Sequence, residues 1–408
     1  METINFDINQ FLQAVSFAID FVEIDVLGAS INHSRRVAYI SLRIAEALGL
    51  SDYEKSDIVA FSIMHDNGLC EESLVTEVKF KEMNQLQRME GLKEHCLYGE
   101  RNIRSYHLLS GNKNIIKYHH ENWNGSGFFG LQGNEIPLLA QIIGLADFVD
   151  NIYHFEVGKH DLILDFVKKN KGIRFAPDIV DAFLKVSSFP KFWLDLRNET
   201  IWQALKNIVI PNIHPMTWEE IFETTKIFTT IIDSKSSFTG KHSSGIVKKT
   251  KIACDFYGFS NEEGIKMQIA ASLHDLGKLA IPSEILDKPG KLTSKEIEIM
   301  KSHSYYTKFA LKQVDHFEDI KEWAANHHET LNGTGYPEGL TAKDLGFNSR
   351  LLACIDIFQA LTEDRPYRKG LKFRETFKIM KEMADNGFID KSIVCDFIPY
   401  LSEVSNIS

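Results

Sequence analysis

Ten of the fifteen histidines in this 408-residue chain fall into two sets that repeat each other. The later set is His242, His274-Asp275, His303, the doublet His327-His328 and Asp356; the earlier is His33, His65-Asp66, His95, His119-His120 and Asp147. Corresponding members are offset by 208 or 209 positions. Imidazole nitrogens with carboxylates are the donors of first-row divalent ions, Fe and Mn foremost, with Mg and Ni admissible; with no thiolate in either set, a soft-metal or structural zinc site is not expected. Seven donors exceed the need of one ion in a cleft. Two ions bridged by Asp275, with positions left for a shared water, account for the number. Ions about 3.5–4 Å apart suit in-line phosphoryl displacement, because they acidify the attacking water and offset developing charge. No Ser-His-Asp, Cys-His or phosphate-cradling glycine loop competes.

These residues need elements to carry them. Apolar residues at three- and four-residue spacing predict helices over Val37–Leu48, Ile58–Met64, Ile115–Tyr118, Leu138–Ile152, Trp218–Ile232, Ile246–Phe256 and Phe373–Met383. A helix is expected through His274-Asp275 as far as Pro282, with Lys278 one turn beyond His274 and Gly277 admitting a neighbouring segment. Each doublet is followed by a glycine loop, Glu121-Asn-Trp-Asn-Gly-Ser-Gly or Glu329-Thr-Leu-Asn-Gly-Thr-Gly, so the helix can end and both rings can turn inward. The fold class expected is all-α: two tandem helical bundles from an internal duplication, 1–205 and 216–408. The join is expected within Phe189–Trp218, where Pro190, Pro211 and Pro215 interrupt the helical period.

With 44% apolar residues the chain can bury two or three cores. It has no membrane-length apolar run and no signal-like start, and five scattered cysteines fit reduced thiols, so a cytoplasmic protein off the membrane is expected. A net charge of −10 argues against DNA or RNA polymers as partners.

With the array in view, the later half resembles the HD-GYP phosphodiesterases of the HD superfamily. The likeness runs from about Phe238 to Lys369 through Thr239-Gly-Lys-His242, His274-Asp-Leu-Gly-Lys278, Ile281–Leu292, His303, His327-His328-Glu329, Gly333-Thr-Gly-Tyr-Pro337, Asp356 and Asp364-Arg-Pro-Tyr-Arg368. It implies HD-type bundles and hydrolysis of a 3′,5′-cyclic dinucleotide, cyclic di-GMP or 3′,3′-cyclic GMP-AMP, to a linear 5′-phosphorylated product. It assigns His242, His274, Asp275 and Asp356 to one ion, and His303, His327 and His328 with the Asp275 bridge to the other. Lys278 resembles the lysine beside the scissile phosphate. Gly335, Tyr336 and Pro337 resemble the loop lining the substrate cleft, with Tyr336 able to stack on a base, while Arg365, Arg368 and Lys369 supply cations for phosphate. Phe238 stands where many members carry a carboxylate ligand for a third ion, so two ions are expected here. Thr307 stands where the family usually has glycine.

The earlier half keeps His33, His65, Asp66, His95, His119, His120 and Asp147, enough for a second metal pair. Leu69 replaces Lys278, Phe128-Phe129 replace Tyr336-Pro337, and Glu156 replaces Arg365. It resembles a diverged relative of the same domain, regulatory or structural and still metal-bearing. Two other readings compete for the whole chain: a di-metal oxygenase, and a nucleotide or redox sensor without hydrolysis. The Gly-Tyr-Pro loop and the arginines count against the first, and Lys278 against the second in the later half. A homodimer is compatible with the sequence.

Overall fold

The computed structural model describes residues 2–27, 31–70, 93–103, 112–155, 160–234, 242–288, 290–364 and 369–404. Arg365, Arg368, Phe238, Glu156 and the side chain of His242 lie outside the described residues. The chain divides into two compact units, one of residues 6–214 and one of residues 215–408 together with residues 1–5. Both are helical; the strands among the described residues are Ile4–Asp7 and Ile213–Met216.

In the first unit, the His33–Ala47 helix packs on Asp52–Met64 and on Leu138–Phe155. Val37, Ile40, Ile44, Ile58, Ile63, Ile142 and Val149 are wholly buried, each worth about 1.5–3 kcal/mol relative to exposure. The start of His33–Ala47 is held by Asp20, whose carboxylate accepts from the backbone N–H of Asn32 and of Ser34 and from the Ser34 hydroxyl. The second unit repeats the plan. His242–Tyr257 packs on Asn261–Leu273 and Phe347–Thr362, and Asn261–Leu273 packs on Glu318–Ala325. Ser243 Oγ donates to Asp233, as Ser34 does to Asp20.

Every helix expected from periodicity lies in an observed helix, to within a residue at Leu48. Two expectations need correction. The helix through His274-Asp275 does not continue to Pro282: it ends at Leu273, His274 caps it, and a 3-10 turn covers Leu276–Ala280. The pair therefore sits at a helix exit, where the backbone can turn both side chains to one side. The Phe189–Trp218 stretch also carries two short helices, Pro190–Asp195 and Ile201–Ile208. Pro190 is at the first helical position, where its missing N–H costs nothing, so it starts a helix rather than breaking one.

Gly277 makes the frame possible. A Cβ there would lie 1.9 Å from the carbonyl oxygen of His303, and one on Gly68 would lie 2.0 Å from that of His95. The absent side chain lets the Ser294–Leu311 helix close on the His274-Asp275 turn, bringing His303 to the aspartate. Gly277→Ala should cost about 1–3 kcal/mol by overpacking and lower the metal content of the second unit. A thermal melt and elemental analysis both unchanged from wild type would contradict this account.

Candidate metal centres

Five imidazoles are set by one device. The Nδ1 atoms of His65, His119, His274, His303 and His327 lie 2.8, 2.5, 2.8, 2.6 and 2.7 Å from the carbonyl oxygens of Ser62, Ile116, Ala271, Met300 and Ala324, each three residues back. A carbonyl only accepts, so Nδ1 carries the hydrogen and Nε2 presents its lone pair. All five Nε2 atoms face a carboxylate.

In the second unit that carboxylate is Asp275, 1% exposed. Its Oδ2 is 3.2 Å from His274 Nε2, and its Oδ1 is 3.7 Å from His303 Nε2 and 3.9 Å from His327 Nε2. Asp356 Oδ1 lies 3.9 Å from His274 Nε2. His328 turns its ring against His327, 4.0 Å between centroids, because the Glu318–Ala325 helix stops and a 3-10 turn carries the doublet. Two triads result, His274-Asp275-His327 and His303-His327-His328, each with donor atoms within 4.8 Å of one another. Lys278 Nζ donates to Asp275 Oδ2 at 2.6 Å.

The electrostatics suit a cation. Burial would push the Asp275 carboxyl up, but His274 and Lys278 outweigh it and hold it well below the usual range. Burial, and then His328, lowers His303 to about 3; burial also lowers His328 to about 4. These rings are thus neutral near pH 7, the form that binds metal.

The first unit brings together His33, His65 and Asp66 in one triad, and His95, Cys96, His119 and His120 in a second group. Asp66 Oδ1 is 3.3 Å from His95 Nε2 and 3.8 Å from His119 Nε2. Asp147 lies within 4 Å of His33, His65 and His120. Burial works against a charged His65, yet Asp66 and Asp147 overcome it and raise that ring to about 9. His65 Nε2, Asp66 Oδ1 and His120 Nε2 are buried with no hydrogen-bond partner among the described residues. Such atoms are costly unless something occupies the space between them. The donors, their orientation and these orphaned atoms fit divalent ions.

The remaining expected site residues separate. Tyr336 packs its ring on His328, 4.9 Å between centroids, with Lys301 Nζ 5.2 Å from the ring centre, so it walls the cluster. Gly335 and Pro337 are half-buried in the same loop, and a Cβ on Gly335 would meet Thr330 N at 2.4 Å. Lys369 is exposed. Leu69 is buried where Lys278 stands in the other unit.

The roles of several residues escaped the sequence reading. Glu329 holds the Tyr336 loop by accepting from the backbone N–H of Glu338, Gly339 and Leu340, and Glu121 does the same for Phe129 and Leu131. Their repeated place after each doublet was the available signal. Thr307 accepts from Gly277 N and donates to His274 O, pinning the helix exit; in the first unit its counterpart is Gly99, and Asn67 donates instead to Met64 O and Gly99 O. Behind His33 stands Asp150, 2.7 Å from Nδ1 and paired with Arg36. The expectation of clusters without thiols is also corrected, since Cys96 adjoins His95. A cleft of about 300 Å³ opens beside His119, His120 and Asp147, walled by Trp123, Phe128 and Phe148.

Models of the HD domain match residues 30–152 and 226–393. The 3′3′-cGAMP-specific phosphodiesterase 1 of Vibrio cholerae is 27% identical over 401 residues, covering 95% of this chain and 90% of that protein. The 3′3′-cGAMP-specific phosphodiesterase 3 of the same organism is 31% identical over 264 residues, 64% of this chain and 57% of that protein. The Thermotoga maritima cyclic di-GMP phosphodiesterase is 29% identical over 189 residues, 46% of this chain and 51% of that protein. A crystal structure of a cyclic GMP-AMP specific phosphodiesterase of Vibrio cholerae superposes with a TM-score of 0.69 over 99% of each chain at 24% identity, a likeness of fold. Among the described residues no helix is long and apolar enough to cross a membrane.

Stripping metal should lower the melting temperature and returning Mn(II) or Fe(II) should restore it; at a thousandfold excess over Kd, binding contributes ~4 kcal/mol. Coincident melts of stripped and loaded protein would show that these clusters hold no ion.

Proposed function

This chain is a tandem HD-domain protein of the HD-GYP phosphodiesterase type, and on that footing we propose that its second bundle hydrolyses a 3′,5′-cyclic dinucleotide to a linear 5′-phosphorylated dinucleotide. The observation carrying the reading is Asp275, buried between two sets of imidazole nitrogens with Lys278 bound to its outer oxygen. His242, His274, Asp275 and Asp356 are the proposed ligands of one ion, and His303, His327 and His328 with Asp275 those of the other. When bound, such ions supply Lewis acidity toward the phosphate and lower the pKa of water. Iron or manganese suits the donors.

The chain's own residues do the rest. Asp275 carries negative charge into the pocket and bridges the two donor sets. Lys278 has its ammonium 2.6 Å from that bridge and part-exposed, so it can hold a non-bridging phosphate oxygen or give a proton to the departing 3′-oxygen. Tyr336 offers an apolar ring face beside the cluster, suited to one base. Glu329 keeps that ring in place through three backbone hydrogen bonds. Arg365, Arg368 and Lys369 are the proposed phosphate grips. Between substrates, similarity over nearly the full chain to a 3′3′-cGAMP-specific enzyme supports cyclic GMP-AMP ahead of cyclic di-GMP. The first bundle is proposed as a metal-bearing regulatory domain, because Leu69 leaves it without the ammonium.

Incubation with 3′,3′-cyclic GMP-AMP and cyclic di-GMP, each with Mn, Fe(II) or Mg, tests the activity by chromatography of products; recovery of both dinucleotides intact with every metal sinks it. Lys278→Ala should lower kcat about 10²–10³-fold with ions retained. His274→Ala with Asp275→Ala should abolish turnover while His65→Ala with Asp66→Ala leaves it standing; the reverse pattern would move the active site to the first bundle. Glu329→Gln should raise KM more than it lowers kcat, since it frees the loop and not the cluster.

A further inference from the structure

We propose that one corner of the first bundle is a closed four-coordinate metal site in which Cys96 supplies a thiolate beside His95, His119 and His120, and that it takes a borderline-soft divalent ion of the zinc or iron(II) class. The proposal rests on the reading that this bundle holds metal, and adds a ligand, an ion class and a role.

The distances carry it. Cys96 Sγ lies 3.5 Å from His95 Nε2, and His95 Nε2 lies 3.5 Å from His119 Nε2. The four donor atoms, that of His120 included, lie within 4.8 Å of one another. Metal–sulfur bonds of about 2.3 Å and metal–nitrogen bonds of about 2.0–2.1 Å set two nitrogens of a tetrahedron roughly 3.3–3.4 Å apart and a nitrogen and a sulfur roughly 3.5–3.6 Å apart. The sulfur–nitrogen separation matches its edge, and the nitrogen–nitrogen separation exceeds its own by about 0.1 Å. Cys96 is wholly buried, as an inner ligand must be. His120 Nε2 is a buried nitrogen with no hydrogen-bond partner among the described residues, and His119 has its Nδ1 tied to Ile116 O, leaving Nε2 as the donor.

The second bundle is an internal control. There the same corner is His303, His327 and His328. The place of Cys96 is taken by Ser304, whose Oγ is 3.4 Å from His303 Nε2. The scaffold thus puts this side chain within reach in both bundles, and its chemistry decides the outcome. A neutral hydroxyl is a poor ligand and would leave the corner to three imidazoles and the Asp275 it shares with the other donor set, with a position open, as catalytic sites keep one; a thiolate would supply a donor of the corner's own and close it, as structural sites are closed. As the sulfur–metal bond forms, the thiol proton is released to solvent, together with the proton of any ring that carries one, because the ion takes the thiolate and the neutral imidazole. The competing reading is a thiol that donates to His95 Nε2 as an ordinary core hydrogen bond.

The test uses the full-length chain, stripped and reloaded with cobalt(II), in wild type and Cys96→Ser. Wild type should show the intense near-ultraviolet thiolate-to-cobalt charge-transfer band, and Cys96→Ser should lose it together with a bound cobalt. X-ray absorption on wild type should find sulfur at about 2.3 Å, a readout that stands even if the variant folds poorly. Cobalt held by the first bundle without sulfur, or a band surviving in Cys96→Ser, overturns the proposal and leaves the metal-bearing reading intact. No cobalt in the first bundle, seen as unchanged stoichiometry when His65, Asp66, His119 and His120 are all replaced by Ala, overturns both.

Discussion

Each bundle is organised around one carboxylate that has no business being buried. Asp66 and Asp275 are each 1% exposed, and an uncompensated buried charge costs several kcal/mol. Around them stand imidazoles whose hydrogens are committed to backbone carbonyls three residues back, so their lone pairs converge. Converging lone pairs repel, and a cation between them reverses the sign of that interaction. In the second bundle, burial and neighbouring rings keep His303 and His328 unprotonated, which removes the proton as a substitute cation there. Metal occupancy and the stability of the bundle are therefore one free energy seen from two sides.

Meeting that constraint needs a backbone that brings separate helices to one point. A helix exit supplies the His-Asp pair, a 3-10 turn supplies the doublet, and a glycine admits the helix carrying the remaining imidazole at a distance no side chain would permit. The exit is pinned by Thr307 in one bundle and by the Asn67 amide in the other. Two side-chain chemistries thus hold the same turn, as expected where the backbone geometry is the requirement and the residue only a means.

Much of this was legible in the sequence because it is periodic or repeated. Apolar spacing marked the helices, the 208–209 offset marked the duplication, and Gly277 marked a close approach that the His303 carbonyl makes. What stayed hidden depends on direction. Whether a helix runs through His274 or ends there turns on backbone dihedrals that Leu276 and Gly277 do not announce. Asp150 lies 117 positions from His33, beyond any local pattern, and meets it only because two helices cross. Pro190 looked like a breaker because proline stops a helix in its interior and starts one at its first turn. Cys96 was read as one of five scattered reduced thiols because a single thiol carries no spacing signal; only the fold sets it beside three imidazoles.

The two bundles differ most where a shared ligand meets its surroundings. Asp150 and Arg36, a buried carboxylate and its cation behind His33, correspond by position to Gln359 and Gly245, a neutral amide over a bare backbone. A carboxylate behind an imidazole raises its basicity and tightens its hold on metal. Leu69 corresponds to Lys278, so an apolar side chain stands where the second bundle sets an ammonium on its buried carboxylate. Both exchanges push one way. On the proposed assignment, the first bundle trades a group that acts on a ligand for groups that grip an ion, and the second keeps its cation at the bridge. On that assignment, a duplicated chemical frame has split into a bundle suited to hold and one suited to turn over, with the difference written in Cys96 and in the neighbours of the shared ligands.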